Sequence, residues 1–300
     1  MNRYPTLLLT LGALWGASYL FIEVGVEGGF SPATLMFARS AIAATALCAY
    51  LAAASGARRA LSDLRAAWRE GLVLGALNAA IPFWLVAWGQ TRIDSGVAAI
   101  AQATVPICSL LIGLPFLRHE RIGPMRWTGV GLGLLGVAVL AGGSPTATLA
   151  TAVGTLAVVL ASVCYGAAGI YGQLRISGRS GPVLATSSML GGAAILAVPA
   201  LADPVVDPSA AAVGSLLALA LVGTALAQLL LFRIIRLYGA RRLSLVTYLI
   251  PGFALVYGSV LLDEQVTPAA LGGLALILAG VALGSGAVRM RRRALRVGSR

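Results

Sequence analysis

The chain has 300 residues, is 59% hydrophobic and only 11% charged, and its mean hydropathy is +0.91. Soluble domains carry roughly a quarter charged residues, so a water-exposed globule is excluded, as is a disordered chain, which needs low hydrophobicity and high charge. The net charge is +12, with 22 basic residues against 10 acidic and every basic residue an arginine; such an excess suits either nucleic acid or an anionic membrane surface.

A helix crosses a bilayer core in about 20 apolar residues. Runs of that kind, bounded by arginine clusters and Pro, Gly or Asp breaks, fall at roughly 5–22, 33–54, 70–89, 95–117, 126–142, 152–172, 182–202, 211–232, 244–262 and 268–288. The first follows Arg3 alone and has the outline of a signal peptide, but nine further spans make it a retained anchor helix. The connections are short and leave no room for a soluble domain. Cys48, Cys108 and Cys164 sit singly in apolar runs, which predicts buried, inert thiols rather than a disulfide framework or a zinc site.

Basic residues collect in cytoplasmic loops. With the N-terminus inside, the inner segments hold Arg3; Arg58, Arg59, Arg65 and Arg69; Arg118, Arg121 and Arg126; Arg175 and Arg179; Arg233, Arg236, Arg241 and Arg242; and the tail from Arg289 to Arg300. That places 20 of the 22 inside, with Arg92 outside and Arg39 within the second span. Glu23, Glu27, Asp94, Asp203, Asp207, Asp263 and Glu264 fall outside. The expected fold is therefore an all-α integral membrane protein of ten transmembrane helices, N-in and C-in. Arginines spread over inner loops and tails, with no binding fold behind them, argue against nucleic acid.

The chain also repeats itself. Pro106, Glu120, Pro124, Gly129 and Gly136 recur as Pro251, Glu264, Pro268, Gly273 and Gly280, at an offset of 145 for the first pair and 144 for the rest. Upstream, Trp15-Gly16-Ala17 matches Tyr165-Gly166-Ala167, and Pro32 matches Pro182, both at an offset of 150. Two five-helix repeats are expected, at 1–143 and 150–288, followed by a basic cytoplasmic tail at 289–300; the polar segment Gly142–Thr148 joins the halves. Five is odd, so the second half enters the membrane from the opposite side, and inverted repeats suit alternating access.

Trp15-Gly16, Phe37-Ala38-Arg39 and the duplicated Pro…Glu…Gly…Gly pattern resemble the drug/metabolite transporter superfamily, specifically its EamA-type ten-helix members. The resemblance covers essentially the whole chain and is greatest to YddG-type bacterial amino-acid exporters. The second half departs from the pattern with Tyr165 for Trp, Met189 at the place of Arg39, and Arg241-Arg242 between its third and fourth spans. The resemblance implies that spans 1, 3, 4, 6, 8 and 9 surround a central cavity. Asn78, Gln102, Gln228 and Tyr248 are then candidates to hydrogen-bond a zwitterion, with Trp15, Tyr19, Trp84 and Tyr165 as walls.

Ser95, Gln102 and Ser109, each seven apart, share one helical face, and Ser244, Tyr248, Leu255 and Ser259 form a comparable one. Intramembrane polar side chains face the bundle interior or a wet cavity, though a Gln or Asn also joins helices, at about 0.6 kcal/mol per bond. Trp88 reads as an interfacial anchor. Pro82, Pro106, Pro115 and Pro251 interrupt spans 3, 4 and 9; each removes an N–H and frees a carbonyl one turn earlier, which suits a hinge, or a packing kink. Arg39 requires a partner, and Glu23 is the nearest acid, so a structural Arg39–Glu23 pair is expected, with snorkelling of Arg39 as the alternative. Gly12-xxx-Gly16, Ser162-xxx-Gly166, Gly129-xxx-Gly133 and Gly280-xxx-Gly284 predict close helix packing.

No Asp or Glu occupies the middle of a span, and His119, the sole histidine, falls in an inner loop. Proton relays use such groups at depth, so facilitated diffusion is expected. There is no Walker loop, HExxH or GxSxG. The expectation is an inner-membrane exporter of small neutral metabolites, amino acids including aromatic or hydrophobic ones, needing no cofactor or metal and acting as a monomer among membrane lipids. The alternatives are a proton-coupled exporter of drug-like compounds or other metabolites and, more remotely, a lipid-modifying membrane enzyme.

Overall fold

The computed structural model describes residues 3–116, 123–142, 148–176, 178–203 and 207–284. Their regular structure is helical: α1 (Tyr4–Glu27), α2 (Pro32–Ser55), α3 (Ala57–Ala66), α4 (Trp68–Gln90), α5 (Ser95–Gly113), α6 (Pro124–Gly142), α7 (Leu149–Arg175), α8 (Gly181–Ala202), α9 (Ala210–Tyr238), α10 (Leu245–Leu261) and α11 (Pro268–Gly284). Eight of these are long and apolar enough to cross a membrane, while α10 and α11 are apolar but shorter. The protein is an all-α, multi-pass membrane protein. Arg118, His119, Glu120 and Arg121, the joining segment 143–147 and the basic tail 289–300 lie outside the described residues.

Local chemistry sets the helix boundaries. Ser31 and Ser180 stand before Pro32 and Pro182, and their hydroxyls accept from Thr34 N–H and Val183 N–H. Serine at the cap and proline in the first turn are a strong start signal. Gly56 (φ 84°) and Gly239 (φ 83°) end α2 and α9 in the left-handed region that favours glycine. The short α3, which carries Arg58, Arg59 and Arg65, stands where the sequence suggested a loop. Its Ala60 is buried with Leu51, Ala67 and Val183, so it lies along the bundle end with its arginines outward.

Long-range hydrogen bonds sort the helix ends into two groups. At one end Tyr4 Oη donates to the Arg242 carbonyl at 2.9 Å, and Arg179 pairs with Glu70 at 3.4 Å and with the Ala66 carbonyl. At the other, Gln90 Nε2 donates to Glu23 Oε2 at 2.8 Å and Ser209 N–H to the Gly28 carbonyl at 2.9 Å. The first is the basic end and the second the acidic end. Between them large apolar side chains face outward, Leu134 at 58% and Leu160 at 52% exposure. Ser40, Thr155, Ser162 and Thr186 are fully buried. Polar-in, apolar-out packing suits lipid as solvent.

Glycine seams let backbones meet. A Cβ on Gly129 would lie 2.6 Å from the Gly280 carbonyl oxygen, so α6 and α11 press against each other along these positions. Gly16 meets Phe253 and Ala254 of α10, and Gly166 meets Cys108 and Ser109 of α5. The expected small-residue spacings thus serve contacts within the chain.

Four helices are irregular. α4 contains a π-helical turn at Ala76–Ala80 and α9 one at Leu221–Leu226. α5 breaks at Ala103 and Thr104, one turn before the ring of Pro106 removes a donor, and α10 opens through a 3-10 turn, Ser244–Tyr248, ahead of Pro251. These irregular turns all occur around one interior space.

Candidate functional site

That space is a cavity of about 540 Å³, within the roughly 300–1,000 Å³ range of small-molecule sites. It is lined by α1 (Trp15, Ser18, Tyr19, Ile22), α2 (Arg39), α4 (Asn78, Phe83, Val86), α5 (Gln102, Ser109), α7 (Tyr165), α9 (Gly223, Thr224, Gln228, Leu231) and the start of α10 (Thr247, Ile250, Pro251). A second cavity of about 250 Å³ shares Asn78, Gln228 and Leu231 with the first and reaches Ile176 and Arg179. Ile176 and Arg179 belong to the basic end, so the two spaces form a path leading there.

The π-helical turns place the polar groups. Such turns are concentrated at functional sites because they redirect side chains and release backbone groups. Asn78 sits in the turn of α4, and Gly223 and Thr224 in that of α9. Thr224 Oγ1 donates to the Leu219 carbonyl at 2.8 Å and accepts from Arg39 Nε at 2.9 Å. The guanidinium carbon of Arg39 stands 3.7 Å above the Phe83 ring centroid. Gln102 Oε1 is buried without a hydrogen-bond partner.

At the acidic end Glu264, just beyond α10, is tied to the start of α5. Its Oε1 accepts from Ser95 N–H at 2.8 Å and its Oε2 from Gly96 N–H at 3.1 Å, so the carboxylate caps α5. An acid at a helix N-terminus satisfies unpaired donors and the helix dipole together. Asp263, at φ 55°, reverses the chain after α10, and Glu264 N–H donates to the Gly258 carbonyl at 3.1 Å. That bond closes a seven-residue turn at the end of α10, and Asp tolerates its left-handed position. Gly258 leaves room for the carboxylate, because a Cβ there would collide with Glu264 Oε2.

Six of the eight expected wall and hydrogen-bonding residues line the cavity: Trp15, Tyr19, Asn78, Gln102, Tyr165 and Gln228. Trp84 does not. It is 36% exposed and stacks on Trp88 at 6.1 Å between centroids, with Arg92 lying over the Trp88 ring at 3.6 Å. Tyr248 also stands apart, packed against the main core, because the tighter 3-10 turn brings Thr247 to the cavity instead. Of the three expected hinge prolines, Pro251 lines the cavity; Pro106 and Pro82 begin regular helix after the break in α5 and the π turn in α4.

The expected Arg39–Glu23 pair is not made. Arg39 turns inward to Thr224, while Glu23 accepts from Gln90. Glu23 faces α4, and Arg39 faces the cavity from α2. Sequence reasoning missed Arg39, Ser18 and Thr224 as lining residues. For Thr224 a signal existed, since Thr224, Gln228 and Leu231 follow the spacing of one helical face.

The chain matches the description "EamA-like transporter family" twice, over residues 3–142 and 152–286. It is 27% identical over 271 residues to the uncharacterized transporter YdfC of Bacillus subtilis, covering 89% of this chain and 86% of that one. It is 26% identical over 234 residues to the uncharacterized inner membrane transporter YedA of Escherichia coli, covering 72% and 74%. A probable terminal-alkyne amino-acid exporter of Streptantibioticus cattleyicolor is 30% identical over 285 residues, covering 92% and 91%. A solved structure described only as the crystal structure of a protein superposes with a TM-score of 0.66 at 21% identity, over 98% of this chain and 99% of the other; at that identity the likeness concerns the fold alone. Two matches spanning nearly the whole sequence settle the family. The chain belongs to the EamA-like transporter family, as a multi-pass transporter of the inner membrane and not an enzyme.

Proposed function

We propose that the protein exports amino acids across the inner membrane by alternating access, through ten membrane helices arranged as two inverted five-helix repeats at 1–143 and 150–288. The observation that carries this reading is the central cavity, built from both halves; the Glu264 cap on α5 is read as the closure of its acidic end. The repeat reading draws support from equivalent irregularities. The π turns at Ala76–Ala80 and Leu221–Leu226 are offset by about 145 residues, as are the breaks ahead of Pro106 and Pro251. Gly16 packs on α10 as Gly166 packs on α5. α11, at 17 residues, reaches the lower edge of what spans a bilayer.

The basic end is the cytoplasmic one, by the preference of arginine for that side. The cavity path then opens to the cytoplasm, the loading side of an exporter, and the acidic end is closed. Trp15, Tyr19 and Tyr165 form walls for an apolar side chain, and Asn78, Gln102 and Gln228 offer hydrogen bonds to a polar backbone. Among the described lining residues none is Asp, Glu or His, which supports facilitated diffusion over proton drive. The Streptantibioticus relative, named as an amino-acid exporter, and the YddG-type exporters that the sequence resembles support the substrate class.

The test is efflux from proteoliposomes loaded with a panel of labelled L-amino acids. Release of at least one aromatic or aliphatic member above protein-free vesicles is expected. Release of none refutes the substrate class.

A further inference from the structure

Arg39 stands eight residues inside α2 and is 7% exposed, a permanent charge at membrane depth. Such a charge demands an anion or a full set of acceptors. It has neither. Its guanidinium carries five N–H groups; Nε donates to Thr224 Oγ1, and Nη1 meets only the sulfur of Met36 at 3.7 Å, a weak acceptor. Phe83 covers one face and offers no lone pair. Among the described residues no carboxylate comes within ion-pairing distance of it, Glu23 being turned to Gln90. The group is nevertheless held firmly. Thr224 commits its own hydrogen to Leu219, which aims its lone pairs at Nε, and the Phe83 ring fixes the plane of the fork.

A guanidinium fixed by one edge and one face, lining a cavity and lacking a counter-ion, is built to receive a planar anion in two-pronged fashion. Elsewhere in the cavity the buried Gln102 Oε1 is an acceptor without a donor. The second half does not repeat the arginine: Met189 stands at the matching place and is fully buried, so the site reads its ligand in one orientation. We infer that Arg39 binds the carboxylate of the transported molecule, and that a free carboxylate rather than a particular side chain defines what is carried. This rests on the amino-acid reading above and narrows it to one chemical feature.

Efflux of four labelled probes sharing one side chain tests the inference: L-phenylalanine, L-phenylalaninamide, phenethylamine and 3-phenylpropionate. The wild type is expected to release phenylalanine at least tenfold faster than the amide or the amine. Arg39→Gln is expected to remove that preference, bringing the acid-to-amide ratio near one, and Arg39→Lys to keep part of it. A purely structural role lowers all rates together and leaves the ratio unchanged, so an unchanged ratio in Arg39→Gln overturns the inference. Equal release of acid and amide by the wild type overturns it with no variant needed. Release of 3-phenylpropionate without phenylalanine upholds the carboxylate receptor, and release of the amine alone, or of none of the four, overturns it; the amino-acid reading itself falls only if no member of the labelled panel is released.

Discussion

Replacing Glu264 by alanine removes the cap that its carboxylate places on α5. Two donors lose their acceptor, Ser95 N–H at 2.8 Å and Gly96 N–H at 3.1 Å. Loss of a helix cap costs about 0.5–2 kcal/mol, and loss of an anion from a helix N-terminus about 0.3–1 kcal/mol more. Taking about 2 kcal/mol in total, the balance between closed and open acidic end moves about 30-fold, since 1.4 kcal/mol is tenfold. Glutamine keeps one acceptor oxygen and loses the charge, so Glu264→Gln is expected to move it about tenfold. The assay is labelling of a cysteine at Ser18, which lines the cavity, by a membrane-impermeant thiol reagent applied from outside. Cys48, Cys108 and Cys164 are replaced by serine beforehand. Labelling is expected to rise in the order wild type, Gln, Ala. Gly258→Ala, whose new methyl would displace the carboxylate, is expected to act in the same direction. Outside labelling that stays at the wild-type level in a folded Glu264→Ala protein refutes the idea that this carboxylate closes the outer end.

Three further outcomes follow from the same geometry. Partial burial, with Glu264 nearby, pushes the Asp94 carboxyl above its ordinary range, so Asp94→Asn removes a like charge beside the latch and is expected to lower outside labelling of Ser18→Cys below wild type. Gly280→Leu forces a side chain where even a Cβ would lie 2.5 Å from the Gly129 carbonyl oxygen. It is expected to lower thermal stability in detergent by the roughly 1–3 kcal/mol of overpacking, read as a reduced Tm. Gln102→Ala is expected to slow amino-acid efflux at least tenfold while Trp84→Leu leaves it within twofold, because only the first residue lines the cavity.

The eight membrane-length helices were legible because each comes from a long apolar run bounded by arginines or by Pro, Gly and Asp breaks. Six cavity residues were legible because polar and aromatic side chains inside hydrocarbon have few places to go. Trp84 was included for its residue type, since six residues after Asn78 it is off that face even at regular helical spacing. The π turn at Ala76–Ala80 inserts an extra residue, which rotates everything after it by about 100°. From Asn78 the lining residues become Phe83 and Val86 rather than those at regular helical spacing. Tyr248 fails by the opposite distortion, a 3-10 turn that overwinds the start of α10. Neither turn has a signature in a pattern read at 3.6 residues per turn. The partner of Arg39 was beyond reach in another way: Thr224 lies 185 residues along the chain, and a depth estimate pointed to the nearest acid instead. The Glu264 cap was half visible, as an acid repeated 144 residues after Glu120, but its bond to α5 depends on how the two halves dock.

Counterflow tests the central claim most directly. Proteoliposomes are preloaded with unlabelled amino acid, diluted into trace label, and followed with and without an imposed proton gradient. A single site that faces the two sides in turn predicts a transient overshoot of label above equilibrium when vesicles are preloaded, and none from the proton gradient alone. Simple equilibration without overshoot contradicts alternating access, and accumulation driven by the proton gradient contradicts facilitated diffusion.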